Sequence, residues 1–168
     1  MARAFGSVVT VFALSLLTAC TTVDLNDPST TTASAGSPET VLNSKVDALL
    51  QEQRSICLEP KYAAMRSKSP CLNSEINFTQ LADSSKITDA QRAQVVDAFT
   101  RMDKLYNEIT TVYQAYGTEQ TQRIAQARTW AFEQSLKNRL QLVNRNITWG
   151  QYLDQRMKIN AEMMRRAQ

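Results

Sequence analysis

The chain has 168 residues, 43% of them hydrophobic, which is enough for one domain with a real core. Its charge is nearly balanced, 19 Lys and Arg against 16 Asp and Glu, and it contains no histidine. That absence removes the commonest general base and the commonest transition-metal ligand; with no GxSxG, HExxH, P-loop or GxGxxG pattern either, neither an enzyme nor a cofactor or metal site is expected.

Arg3 and the α-amino group form a short positive region, and Val8 to Leu17 is apolar apart from Thr10 and Ser15. Such a segment rises about 15 Å as a helix, half of a bilayer's hydrocarbon core. It is too short to span and the right length for the hydrophobic part of a secretory signal. No later stretch is long and apolar enough for a transmembrane helix.

The segment ends on Leu17-Thr18-Ala19-Cys20, which resembles the lipobox of bacterial lipoproteins. The resemblance implies that the Cys20 thiol receives a diacylglyceryl group and that residues 1–19 are removed as the signal peptide. The new amino group is then open to acylation as well. Two or three acyl chains make release negligible, because each buried methylene contributes about 0.8 kcal/mol. The resemblance also implies an address. Asp after the lipidated Cys retains a lipoprotein in the inner membrane; Thr21 stands there, so the expected location is the cell outer membrane, with the domain facing the periplasm.

The stretch "TTVDLNDPSTTTASAGSP" follows, without an aromatic residue. It cannot bury enough apolar surface to offset the entropy of ordering, so residues 20–38 read as the lipidated Cys and a flexible tether. As a coil it reaches about 24 Å.

Residues 39–168 read as a helical domain. The first predicted helix runs from about Glu39 to Ile56, with Ser37 as cap and Pro38 at its first position. Val41, Leu42, Val46, Leu49, Leu50 and Ile56 form its apolar stripe. A further helical turn is expected around Lys61 to Arg66. The second helix opens at "ITDAQ", where Thr88 and Gln91 make a capping box. Val95, Phe99, Met102, Tyr106, Ile109, Tyr113 and Tyr116 then recur at intervals of four and three, beside a second row of Ala98, Leu105 and Val112. Two rows touch two neighbours, which favours a bundle over a two-stranded coil. Gly117 ends this helix.

Thr118 caps the third, whose expected buried side is Ile124, Ala125, Ala131, Phe132, Leu136, Leu140 and Val143. So short a connection makes the two long helices antiparallel. The fourth opens at "NITWGQY" with a second capping box, Thr148 and Gln151, and presents Tyr152, Arg156, Ile159 and Met163. The expected fold is all-α: an antiparallel helical bundle of about four helices after a disordered tether.

Cys57 and Cys71 are the remaining thiols, and export to an oxidising compartment makes a structural disulfide the expectation. Positive charge gathers on the third helix, at Arg123, Arg128, Lys137, Arg139 and Arg145, and the C-terminus adds Arg165 and Arg166. These are the candidate contacts for an anion or partner, with lipid phosphates and peptidoglycan carboxylates as available anions; simple solvation of the helix is the plainer account. Nucleic acid is not expected in that compartment. Trp149, at a helix start, is a candidate partner anchor, with core packing as the plainer account. The leading functional reading is a membrane-anchored, non-enzymatic binding or assembly module of the cell envelope, its partner an envelope protein, peptidoglycan or lipid headgroup. Two others stay open: an accessory subunit or inhibitor of one dedicated envelope protein or cell-wall hydrolase, and a cryptic hydrolase with a facing carboxylate pair.

Overall fold

The computed structural model describes residues 37–168; the signal peptide, Cys20 and all but the last two residues assigned to the tether lie outside the described residues. Ser37 accepts from the Thr40 amide at 3.2 Å and starts α1, Pro38–Leu58. Pro38 therefore belongs to the helix, since its missing N–H and fixed φ cost nothing there. A 3-10 turn, Pro60–Tyr62, leads into the one-turn α2, Ala63–Arg66. Another 3-10 turn, Asn73–Glu75, precedes α3, Phe78–Leu81, a short helix that the sequence reading left out.

The three remaining helices begin where their caps place them. In α4, Asp89–Tyr116, the Gln91 amide donates to Thr88 Oγ1 at 3.3 Å and the Thr88 amide to Gln91 Oε1 at 3.0 Å. Gly117 ends it at φ 78°, a left-handed conformation that glycine adopts without steric cost. α5, Glu119–Val143, starts from Thr118, and α6, Trp149–Arg166, from the Thr148–Gln151 capping box. Among the described residues there is no strand.

The long helices lie neighbour to neighbour in chain order: α1 packs along α4, α4 along α5, and α5 along α6. Each pair is antiparallel. Gln53 meets Met102 while Tyr62 meets Asp97, Tyr106 meets Arg128 while Asp103 meets Arg139, and Asn138 meets Tyr152 while Gln120 meets Ala167. The first and last of the row, α1 and α6, do not pack along each other. The seam that would close a four-helix bundle is open.

The core runs along the inside of this row. Leu42, Val46, Leu49 and Ile56 come from α1, and Val95, Ala98, Leu105 and Ile109 from α4. Leu142, Trp149 and Leu153 continue it through α5 and α6. The expected stripes are rotated in places. Val41 and Leu50 are exposed, so α1 buries a narrower face, suited to its single long neighbour. On α5, Leu136 and Leu140 point outward, while Ala125, Ala127, Ala131 and Leu142 are buried. Squeezed between two long helices, α5 uses alanines for close approach over its first half, and Leu136 and Leu140 turn away.

Candidate functional site

The open seam is a cleft of about 710 Å³, with α1 and α6 as its sides, α4 and α5 as its floor and residues 69–74 across one end. That volume falls within the range of small-ligand sites. Phe99, Met102, Tyr106, Phe132, Ile159 and Met163 make much of its wall apolar. Tyr106 stacks on Phe132, ring centroids 5.4 Å apart, and its hydroxyl donates to the Arg128 carbonyl at 2.9 Å.

The closed end is built by a crosslink. Cys57 and Cys71 form a disulfide, with Cα atoms 5.9 Å apart, and fasten the loop to the end of α1. From the other side Arg156 of α6 grips the same loop. Its Nη1 donates to Ser69 Oγ at 3.0 Å and to the Pro70 carbonyl at 2.8 Å, and its Nη2 donates to the Cys71 carbonyl at 3.0 Å. Among the described residues no carboxylate pairs with Arg156. Asn73 Oδ1 is buried on this wall without a hydrogen-bond partner among the described residues.

A second arginine lies on the floor. Arg139 Nη1 donates to both oxygens of Asp103, at 2.8 and 3.0 Å, and its Nε donates to the Ser135 carbonyl at 3.3 Å. The guanidinium carbon lies 4.5 Å from the centroid of Phe99 and 5.9 Å from that of Phe132. Tyr152 lines the cleft beside both cations; burial holds its phenol above the ordinary range, against the pull of Arg156 and Arg139.

The basic residues singled out from sequence do not form one free patch, which corrects that expectation. Arg139 is buried in its ion pair. Arg128 bonds Thr110 Oγ1 and the Tyr106 carbonyl, both at 3.2 Å, and burial lowers its pKa. Arg145 takes a left-handed φ of 60° and ties α5 to α4 through the Ile87 carbonyl and Asp89. Arg123 pairs with Glu119, while Arg165 and Arg166 share Glu162. Lys137 is exposed and makes no ion pair among the described residues. Five cations therefore meet carboxylates on neighbouring turns or helices, which sequence spacing alone does not show.

Trp149 is corrected likewise. It is 0% exposed, packs edge-on against Tyr152 at 5.9 Å, and points its indole N–H at Gln91 Oε1, 3.4 Å away. A side chain so enclosed anchors the core and no partner. Cys20 lies outside the described residues.

Sequence reasoning missed the cleft's most distinctive residue pair, Arg156 and the loop carbonyls, because Arg156 read only as part of an amphipathic face. It also missed Gly150, where α6 meets the chain after α3. The Gly150 amide donates to the Asp83 carbonyl at 2.9 Å, and an added Cβ would collide with the Leu81 carbonyl oxygen. Compared with protein-family models, with curated proteins and with solved structures, the chain matches none.

Proposed function

We propose that this chain is a lipid-anchored protein of the cell outer membrane whose helical domain acts as a binding module, with the cleft between α1 and α6 as its site. The observation that carries this reading is the open seam: a row of four helices leaves an apolar-walled trough where a closed bundle would have a core. The lipobox ending at Cys20, with Thr21 behind it, supports anchoring on the outer membrane, and export suits the Cys57–Cys71 disulfide. Every carboxylate among the described residues is exposed or ion-paired, which supports binding over hydrolysis. In cells, crosslinking the mature chain beside a Cys20→Ser control tests the reading. Capture of one dominant species, lost in the control, supports a module that works while anchored; capture unaffected by Cys20→Ser counts against it.

A second reading has its own observation. Phe78, the first residue of α3, is 84% exposed, with exposed Leu72 on the preceding loop. An apolar knob of that kind suits an accessory subunit or inhibitor docking on one envelope protein. Phe78→Ser would abolish capture of a protein partner on that reading and leave it intact if the cleft is the site.

A further inference from the structure

The cleft's charge and spare hydrogen-bond donors define the class of its occupant. Three arginines line it, Arg54, Arg139 and Arg156, against two aspartates, Asp47 and Asp103. Arg139 is matched by Asp103 and Arg54 lies 3.7 Å from Glu75, whereas Arg156 bonds only neutral acceptors and is the unmatched cation at the loop end. Each guanidinium has five N–H donors. Arg156 spends three, leaving one Nη2 hydrogen and the Nε hydrogen, and Arg139 spends Nε and Nη1, leaving Nη2. Four donors on these two arginines are thus unspent, and among the described residues one buried acceptor of the lining, Asn73 Oδ1, lacks a partner.

Much of the remaining wall is of the opposite kind. Phe99, Met102, Phe132, Ile159 and Met163 offer apolar and readily deformed surface, and the trough is closed at its loop end. An occupant therefore needs an apolar body and a singly charged acidic group. A phosphate monoester carries nearly two charges at neutral pH, more than the one unmatched guanidinium of Arg156 would balance, whereas a carboxylate carries one. We propose that the cleft binds a single-chain amphiphile ending in a carboxylate, a long-chain fatty acid, its chain against the aromatic and methionine wall and its acid group at Arg156. This rests on the reading of the cleft as a binding site.

The test uses the full chain in phosphatidylcholine vesicles. A photoreactive hexadecanoate is compared with a hexadecanol bearing the same photoreactive group, each scored relative to labelling of the lipid. The expected result is adducts on peptides containing Met102, Phe132 and Met163, about tenfold stronger for the acid, as a hydrogen-bonded charge predicts. Unlabelled hexadecanoate should displace the probe, and Arg156→Gln should bring the acid down to the level of the alcohol. Because that substitution also loosens the loop, the acid–alcohol comparison on the unaltered chain decides by itself. Equal labelling overturns acid recognition while leaving the cleft a binding site. Stronger displacement by hexadecyl phosphate overturns the carboxylate. No adduct on the cleft from either probe overturns the amphiphile itself, and crosslinking in cells then judges the module reading separately.

Discussion

Arg156 Nη2 donates to the Cys71 carbonyl at 3.0 Å, so α6 holds the very residue whose sulfur is bonded to α1. The two outer helices of the row are joined through this loop, not through each other. The loop is therefore both the end wall of the cleft and the strap that fixes its width.

The strap should be worth measuring by its chemistry. Closing a loop with a sequence separation of 14 lowers the entropy of the unfolded chain, and the Cys57→Ser, Cys71→Ser pair should lose about 3 kcal/mol in the chain-entropy model. Urea unfolding of the unaltered chain with and without dithiothreitol checks this. Reductant should lower the midpoint of the unaltered chain and leave the double variant unmoved.

Arg139 and Asp103 form a largely buried pair, with side chains 10% and 25% exposed. Arg139→Leu leaves the carboxylate unpaired beside apolar rings and should cost about 3 kcal/mol. Adding Asp103→Leu removes the orphaned charge and should restore much of the loss. A double-mutant cycle by urea unfolding reads the difference; equal losses in the single and double variants would show that packing of the guanidinium between Phe99 and Phe132, not its charge partner, is what matters.

Gly150→Ala should be among the most damaging small substitutions in the chain. The added methyl would meet the Leu81 carbonyl oxygen and, at 2.9 Å, that of Asp83, and backbone cannot rotate away as a side chain can. A loss of about 3 kcal/mol is expected, at the upper end for overpacking. Its thermal unfolding midpoint should fall well below that of Gly117→Asn, which keeps a left-handed position in a residue that tolerates it.

Acid should weaken the fold through carboxylates whose pKa values folding lowers. Hydrogen bonds from Arg165 and then Arg166 hold Glu162 down at about 2, against an ordinary 4.5. Asp97 is lowered by Lys61 and Tyr62, and Glu59 by Arg101. A lowered folded-state pKa gives stability that is complete above the unfolded value and is lost as pH falls through the folded one. Stability should therefore hold from neutral pH to near 4.5 and decline towards pH 2. Asp97 is exposed and Glu59 and Glu162 are only half-buried, so the decline is gentle, and Arg165→Gln with Arg166→Gln should flatten it further; urea midpoints across that range provide the check.

The helices were legible because their ends carry strong local chemistry. Thr88 with Gln91 and Thr148 with Gln151 name two starts, and Gly117 names a stop, without reference to any tertiary contact. The stripe of α4 was legible too, since a helix with neighbours on two sides repeats its apolar residues over many turns. The cleft was not. Its existence depends on α1 and α6 failing to pack, which no single helix's periodicity encodes, and its Arg156 meets acceptors more than eighty residues earlier in the chain. The basic surface misled for the same reason. Arg139 and Asp103 are 36 positions apart, and a charge counted along one helix says nothing of its partner on the next.

The proposed seat of the partner is the open seam between α1 and α6. A photoreactive amino acid at Asn160, on the α6 side of the cleft, is compared in cells with one at Gln126, exposed on α5 away from it. Capture is expected from Asn160, lost in the Cys20→Ser background, and none from Gln126. Equal capture from both positions, or capture from Gln126 alone, would contradict it.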